Sequence, residues 1–321
     1  MQNNSADKKP KKSRARKAII IIAVSLVSLF IVTLAVTPFV VMPMFLGQRY
    51  EQKQYDPEDF GVTAERITLA TDDALNLAAW RVRAEETKGT VILLSGIQNP
   101  SVTAFFGYAR MLADNGWDSL LIEMRARSES EGEEIGFGMT EWLDVKAGVD
   151  FLSTDAAVKE LPIVTMGTSM GGGTVIIAAG ELPEVDAVIS ISAFSSWSQL
   201  FVDNMGMMGV PKVIGVPDIP FINLYLGFHF GFDALKYSPV KEIAKLGERP
   251  ILMMHSTGDT QVPYSEFETL LNAAEKSGAN VTTFIREGDE HFICYDRFVN
   301  DPAQDTEFSQ AILDFLADSF S

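Results

Sequence analysis

VTMGTSMGGGTVIIAAG, residues 164–180, places one serine and a group of glycines between two apolar runs. The run before it, LPIVTM, is typical of a short buried strand, and the run after it can form a helix. Gly167, Ser169 and Gly171 fit the pattern G-x-S-x-G, which marks a serine on a tight, strained turn from strand to helix. An ordinary glycine-rich connection has a similar composition. The strand–turn–helix context favours the first interpretation and makes Ser169 a candidate nucleophile.

Short apolar runs alternate with helix-length segments over most of the chain beyond residue 65. Such runs are typical of strands that are covered on both faces of a parallel sheet. A preceding segment, RITLATDDALNLAAWRV, predicts a β-hairpin that turns near Asp72 and Asp73. The sequence therefore predicts an α/β fold in which a mostly parallel sheet carries helices on both faces. The predicted strands are TVILLSG (90–96), DSLLIEM (118–124), PIVTMG (162–167), DAVISIS (186–192), PILMMHS (250–256) and VTTFIRE (281–287).

Residues 196–236 interrupt this alternation with many Met, Phe, Gly and Pro residues and no clear strand. A connection of this length is uncommon unless it has a function, although an irregular loop would satisfy the same pattern. We expect a cap insertion that provides an adaptable apolar wall over an active site.

The N-terminal region predicts a membrane anchor. Residues 1–17 form a basic tail, and residues 18–46 contain no charged side chain. This apolar segment exceeds the roughly 20 residues that cross a bilayer, and it is longer than the apolar region of a secretory signal. We expect one uncleaved transmembrane helix with the basic tail in the cytoplasm and the bulk of the chain outside it. Residues 47–64 are polar and are interpreted as a linker to a domain of residues 65–321. A cleaved signal is the alternative.

The composition excludes several classes of function. The net charge of −17 disfavours binding to the phosphate backbone of nucleic acids. Because Cys294 is the only cysteine, the chain forms no internal disulfide and no metal site built from several thiolates. We expect Cys294 to be a small buried residue, with redox sensitivity as the alternative.

A nucleophilic serine needs a base and an orienting carboxylate, which in this strand–turn–helix context follow in the order Ser, acid, His. His291 follows the last predicted strand in a polar loop and is the candidate base. Asp259 follows the preceding strand and is the candidate acid. Asp289 and Glu290 are rivals, but their nearness to His291 in sequence would require an awkward loop. The two other histidines are interpreted as packed or cap-lining (His229) and as structural (His255).

The oxyanion of a serine hydrolase is stabilised by two backbone N–H groups. One should belong to Met170, the residue after the nucleophile, and the other should come from the loop LLSGIQNPS. Ile97 N–H is the candidate in that loop, which could alternatively be a simple β-to-helix turn.

Five landmarks in order make residues 65–320 resemble the α/β-hydrolase superfamily, and within it the prolyl-oligopeptidase-like or BEM46-like bacterial serine hydrolases. They are LLSGIQ, EMRARSESEG, GTSMGG, SPVKEIAKLGERPILMMHSTGDTQVP and GDEHF. Ser95 stands where the family usually has a histidine in the oxyanion loop, Ser256 replaces a glycine before the acid, and RARS replaces the R-G-H-G turn. These departures leave Ser169, Asp259 and His291 in place.

The sequence therefore predicts a membrane-anchored serine hydrolase that cleaves an apolar ester or related acyl bond without a metal or an organic cofactor. A peptidase acting on short peptides is the alternative enzyme. A catalytically inactive hydrolase fold used for binding is the alternative outside enzymes. A metal-dependent hydrolase that uses His255, Asp259 and His291 would leave the serine turn unexplained.

Overall fold

The computed structural model describes residues 12–46, 49–97, 100–207, 209 and 211–320. Residues 1–11 of the basic tail, residues 47–48 of the predicted linker and residues 98–99 of the predicted oxyanion loop lie outside the described residues.

Eight strands form one sheet within the described part of the chain, in the order β1-β2-β4-β3-β5-β6-β7-β8. The β1–β2 and β2–β4 pairs are antiparallel, and all pairs from β4 through β8 are parallel. The predicted hairpin and mostly parallel sheet are confirmed, and each predicted parallel strand begins and ends within two residues of the observed one. The strands are β1 (Ala64–Ala70), β2 (Asn76–Val82), β3 (Thr90–Leu94), β4 (Asp118–Ile122), β5 (Ile163–Thr168), β6 (Ala187–Ile191), β7 (Pro250–Ser256) and β8 (Asn280–Arg286).

Helices cover both faces of the sheet, as predicted. Their bounds are α1 (Lys12–Val41), α2 (Pro43–Leu46), α3 (Phe106–Ala113), α4 (Trp142–Thr154), α5 (Met170–Glu181), α6 (Trp197–Met207), α7 (Lys212–Gly215), α8 (Ile219–Phe230), α9 (Pro239–Glu242), α10 (Tyr264–Ser277) and α11 (Thr306–Ser319). Helices α4, α5 and α10 contribute to one buried apolar cluster, while α3 and α11 contribute to the other. The fully buried β3, β5 and β6 lie between the two clusters, which explains their continuous apolar sequences.

The insertion at residues 196–236 is helical. Helices α6, α7 and α8 and two short 3₁₀ segments, Val216–Asp218 and Phe232–Lys236, account for most of it. Helix α8 is apolar on nearly all sides, so its sequence carries no amphipathic period from which its type could be predicted.

Among the residues that the structure describes, two segments are long and apolar enough to cross a membrane. Ala15–Val41 has a mean hydropathy of 3.0 and is almost fully exposed, and Val213–Phe230 has a mean hydropathy of 1.2 and is one-third buried. The first coincides with α1, whose C-terminal end packs against α8.

Candidate active site

Ser169 occupies a strained turn between β5 and α5. Its backbone has φ 58° and ψ −118°, a combination that non-glycine residues rarely adopt. The Ser169 N–H donates to the carbonyl of Ile191 on the neighbouring strand β6 at 2.8 Å, which holds the turn in place. The residue is partly exposed. This is the geometry of a nucleophile elbow, where the chain reverses sharply and leaves the serine side chain accessible.

The glycines around Ser169 allow the start of α5 to approach the sheet closely. A Cβ on Gly171 would lie 2.5 Å from the Ser95 carbonyl oxygen, and one on Gly167 would lie 2.3 Å from the Gly171 carbonyl oxygen. A Cβ on Gly172 would lie 2.6 Å from the Ile191 oxygen. The glycines are therefore required by close backbone contacts with β3, β5 and β6, in addition to the space they leave around the serine.

Asp259 and His291 are in direct contact. His291 Nδ1 lies 2.7 Å from Asp259 Oδ2, and the other carboxylate oxygen accepts hydrogen bonds from the N–H groups of Gln261 at 2.8 Å and Val262 at 2.9 Å. Burial by itself raises the pKa of Asp259, but the hydrogen bonds from His291 and the two backbone N–H groups outweigh it, so the pKa lies below its ordinary value. The carboxylate is therefore ionised and can orient the imidazole at neutral pH.

Two buried serine hydroxyls hold the loop that carries His291. Ser192 Oγ donates to the His291 carbonyl at 2.6 Å, and Ser256 Oγ donates to the Glu290 carbonyl at 2.8 Å. Ser192 follows β6 and Ser256 ends β7, so the histidine loop is fixed to the carboxyl ends of two neighbouring strands. Ser256 stands where the resembled family has glycine, and its hydroxyl makes a contact that glycine cannot make.

Within the described chain, the Ser169 hydroxyl is not hydrogen-bonded to the His291 ring. The structure therefore pairs the acid and base candidates, and it presents the serine on the same carboxyl edge of the sheet. Hydrogen bonds between a nucleophile and its base are often long without substrate and tighten in the reacting complex.

The rival residues have other partners. Asp289 accepts hydrogen bonds from the N–H and the hydroxyl of Thr260, at 2.8 and 3.0 Å. His255 is buried, and its Nε2 lies 2.9 Å from the Val262 carbonyl, to which it can donate. Burial lowers the pKa of His255, so its ring is neutral near pH 7. His229 lies in the cap and is exposed, with its Nε2 2.7 Å from a carboxylate oxygen of Glu134.

The two candidate oxyanion residues flank the elbow. Met170 is the first residue of α5, where backbone N–H groups have no acceptor within the helix. Ile97 lies in the loop after β3. The guanidinium of Arg127 connects them, because it donates to the carbonyls of Gly96 and Ile97 and lies 3.8 Å from the Met170 sulfur. Arg127 was not among the sequence-derived candidates; the only signal was its position in the altered RARS turn.

A cavity of about 360 Å³ lies between the cap and the sheet. Phe194, one of its walls, lies 3.1 Å from a Cβ built on Gly173, one helical turn beyond Ser169. The cavity therefore lies close to the start of α5, although none of the candidate catalytic or oxyanion residues lines it. Its apolar walls include Phe137, Met139, Phe194, Trp197, Leu226 and Tyr237. A larger cavity of about 730 Å³ has polar walls at β2 and α3 and contains none of the candidate residues.

No group of three or more His, Cys, Asp or Glu side chains is arranged to hold a metal ion among the residues that the structure describes. Cys294 is fully buried, and burial raises the pKa of its thiol to about 12. The thiol is therefore protonated and inaccessible, as expected of a small core residue.

The sheet order and the serine elbow define an α/β-hydrolase, and comparison with known proteins agrees. The model of the prolyl oligopeptidase family matches residues 137–321, and that of the X-Pro dipeptidyl-peptidase (S15) family matches residues 44–218. The chain therefore belongs to the α/β-hydrolase superfamily, as a prolyl-oligopeptidase-like serine hydrolase. The predicted resemblance and fold are both confirmed.

Individual relatives are distant. The uncharacterized protein YqkD of Bacillus subtilis is 26% identical over 222 residues, which cover 68% of this chain and 70% of that protein. The esterase Pf2001 of Pyrococcus furiosus has a similar structure, with a TM-score of 0.67 and 20% identity over 85% of this chain and 100% of that one. The acylaminoacyl peptidase of Pyrococcus horikoshii gives a TM-score of 0.60 and 16% identity, over 81% of this chain and 42% of that one. These similarities establish the fold.

Proposed function

We propose that the protein hydrolyses an ester or related acyl bond through Ser169, His291 and Asp259. His291 takes the proton of the Ser169 hydroxyl as its oxygen attacks the acyl carbonyl, and then gives a proton to the leaving group. The Asp259 carboxylate accepts a hydrogen bond from His291 Nδ1–H. This bond keeps the imidazole proton on Nδ1, so that Nε2 can act as the base. The Met170 and Ile97 N–H groups stabilise the oxyanion, and water then attacks the acyl-enzyme and releases the acid.

The observation that carries this proposal is the combination of a strained, partly exposed Ser169 with a buried Asp259–His291 pair on one edge of the sheet. A serine in such a backbone conformation costs about 1–3 kcal/mol, and strain of this kind clusters at active sites. The apolar walls of the cavity between the cap and the sheet favour a neutral acyl group as substrate.

Peptide hydrolysis is the second candidate, and the match to the prolyl oligopeptidase family supports it. Both reactions proceed through the same acyl-enzyme, so the triad does not distinguish ester hydrolysis from peptide hydrolysis.

Parallel assays with p-nitrophenyl acyl esters and with acylaminoacyl p-nitroanilides distinguish the two activities. We expect a kcat/KM that is higher for the esters, because the cavity provides apolar walls for an acyl chain.

For the arrangement of the chain, we propose that residues 18–46 anchor the protein in the cell membrane. The basic tail of residues 1–17 then lies in the cytoplasm, and residues 65–321 form an extracytoplasmic catalytic domain whose cap spans about 196–236. The length and hydropathy of Ala15–Val41 support the anchor, and the Lys and Arg residues before it support the orientation.

A fluorophosphonate probe tests the proposed nucleophile in the detergent-solubilised full chain. We expect the wild type to be labelled, and Ser169→Ala and His291→Ala to lose labelling. Ser153→Ala, which changes an exposed serine at the end of α4, is the matched control and should be labelled like the wild type. Labelling that persists in Ser169→Ala would show that another residue is the nucleophile. A folded wild type that is not labelled would favour the inactive binding module.

A further inference from the structure

The cap exposes a group of apolar side chains that the fold does not cover. They are Val213, Ile214, Val216, Leu224, Phe228 and Phe232, and we call them the cap apolar surface. Val213 is 76% exposed and Phe228 is 66% exposed. Patches of this kind on a protein surface mark contacts with other proteins or with membranes.

Residues 213–230, which carry all of this surface except Phe232, are nearly free of charge. Asp218 is the only acidic or basic residue between residues 213 and 230 apart from His229, and its side chain is buried inside the cap. His229 is turned towards Glu134. The charged groups of this part of the cap are therefore limited to the buried Asp218 and the pair of the exposed His229 with Glu134, which lowers the cost of bringing its outer side into an apolar medium.

The cap apolar surface is continuous with the contact between the cap and α1. Phe39 of α1 packs edge-to-face on Tyr225 of α8, with ring centroids 5.2 Å apart. Leu34 and Pro38 at the same end of α1, and Met42 directly after it, are buried, whereas most of α1 before Leu34 is exposed. The outer end of α1 is thus the part that touches the cap.

The position of this contact along α1 fixes the depth of the cap in the membrane. About 20 helical residues cross the hydrocarbon core. A span that begins near residue 18 therefore leaves the core near residue 37, so Leu34 and Phe39 lie in the outer leaflet and its interface. Because Tyr225 contacts Phe39, α8 lies at that same depth.

The exposed stripe of α8 faces the side on which α1 lies. Leu224 and Phe228 are one turn apart and share a face, while the core-facing Ile222 and Leu226 occupy another. At about 100° per residue, Phe228 lies about 60° around the helix from Tyr225. The apolar stripe therefore continues directly from the contact with α1 into the region that lipid would occupy.

We propose that the cap apolar surface is immersed in the outer leaflet of the membrane that α1 crosses, and that the substrate is a long-chain acyl ester taken directly from the bilayer. This inference rests on the proposed anchor and hydrolase function. The inner side of α8 supports it, because Asn223 and Leu226 line the cavity between the cap and the sheet. Helix α8 thus has the proposed lipid contact on one side and the apolar cavity on the other, which gives an amphiphile a route from the bilayer into the space near the start of α5.

Site-specific fluorescence in phosphatidylcholine proteoliposomes tests the immersion. In a Cys294→Ala background of the full chain, the variants Val213→Cys and Phe228→Cys are each labelled with the polarity-sensitive dye NBD. Val27→Cys in α1 is the membrane reference. Glu160→Cys is the matched water-exposed control, because it precedes β5 at the opposite edge of the sheet from Ser169.

We expect the probes at positions 213 and 228 to be blue-shifted and quenched by nitroxide-labelled lipids, as at position 27, and the probe at 160 to be quenched by aqueous iodide only. If the probes at 213 and 228 behave like the one at 160 while position 27 is quenched by lipid, the immersion is wrong and the anchor stands. A blue shift without lipid quenching would show that a protein surface covers the cap, which also overturns the proposal. A water-exposed position 27 would overturn the anchor and the immersion together.

The origin of the substrate is tested by activity. We expect Phe228→Asp to lower hydrolysis of a long-chain ester embedded in the proteoliposomes roughly tenfold or more, because Asp removes an apolar contact with the lipid and adds a charge in its place. Hydrolysis of a water-soluble short-chain ester and fluorophosphonate labelling should be unchanged, as should all three readouts in the control Ser153→Asp. Val213→Asp on α7 repeats the test at a second position. Unchanged hydrolysis of the embedded ester in both cap variants would overturn delivery from the bilayer. Absence of fluorophosphonate labelling in the wild type would instead refute the proposed hydrolase function.

Discussion

Arg127 donates a hydrogen bond of 3.1 Å to the carbonyl oxygen of Ile97, the candidate oxyanion residue. The guanidinium is fully buried, and no described carboxylate lies within salt-bridge distance of it. Burial lowers the pKa of Arg127 accordingly, and its Nε has no acceptor among the described residues. Burying a cation in this way costs several kcal/mol. Such a cost is understandable if the arginine orders the loop whose N–H must face the reacting carbonyl.

Replacing Arg127 with methionine should separate activity from stability. We expect Arg127→Met to lower kcat/KM for a soluble ester about tenfold to hundredfold, somewhat less than loss of an oxyanion donor. The melting temperature should change little, because the removed desolvation cost of the cation is offset by the loss of its hydrogen bonds to the Gly96 and Ile97 carbonyls. Steady-state kinetics and thermal unfolding measure the two effects, with the exposed Arg83→Met as the control. A lower melting temperature with unchanged kcat/KM would mean that Arg127 serves only the fold.

The two carboxylates near His291 should differ sharply in their effect on catalysis. We expect Asp259→Asn to lower kcat by a factor on the order of 10³–10⁴, because an amide in place of the carboxylate favours the wrong imidazole tautomer. Asp289→Asn should have an effect of less than about tenfold, since Asp289 bonds to Thr260 and not to the imidazole. Kinetics with one soluble ester compare both variants. Equal losses would show that Asp289, the rival in the same loop, orients the base.

Most of the sheet could be predicted from the sequence because its parallel strands are buried on both faces. Burial leaves β3, β5 and β6 with uninterrupted apolar residues, and that pattern needs no tertiary information. The cap could not be predicted in the same way. Helix α8 contacts the core through Ile222 and α1 through Tyr225, and it exposes Phe228, so apolar residues occupy all its sides and erase the helical period.

The candidate site was only partly accessible from the sequence. Ser169, Asp259 and His291 follow strands in an order that predicts their position at one sheet edge. The contact of Arg127 with Ile97 joins residues 30 positions apart, and it depends on how the turn after β4 folds back. The buried hydroxyl of Ser192 that holds the His291 carbonyl is 99 positions from it in the chain and carries no local signal.

Gly171 should be intolerant of even a single methyl group. We expect Gly171→Ala to lower the free energy of unfolding by about 1–3 kcal/mol, because its Cβ would lie 2.5 and 2.8 Å from two backbone oxygens that cannot move independently. Fluorophosphonate labelling should fall with it, as the elbow shifts away from β3. Gly206→Ala in α6 is the matched control, since a Cβ there has no neighbour within 4 Å, and it should be neutral or stabilise by up to about 1 kcal/mol. Equal stabilities of the two variants would refute the close-packing account.

Glu266 in α10 is a buried carboxyl group with an incomplete set of partners. One oxygen accepts a 2.7 Å hydrogen bond from the Ser195 N–H, and the other has no partner among the described residues. Burial raises the pKa of Glu266 from 4.5 to about 7. Between these two values the folded protein holds a proton that the unfolded chain has released, so the free energy of unfolding falls as the pH rises through this window.

Glu266→Gln should remove this loss of stability, because the glutamine side chain does not ionise. Its amide oxygen can still accept the hydrogen bond from the Ser195 N–H. Relative to the variant, the wild type should lose up to roughly 3 kcal/mol between pH 4.5 and 8, since each pKa unit corresponds to about 1.4 kcal/mol. Urea unfolding of both proteins at pH 5 and pH 8 measures the difference. The exposed Glu268→Gln on the same helix controls for the general effect of removing a charge. The contrary outcome is that the free energies of unfolding of Glu266→Gln and the wild type differ by the same amount at both pH values. In that case Glu266 ionises as an ordinary surface glutamate does, and its burial in α10 carries no electrostatic cost.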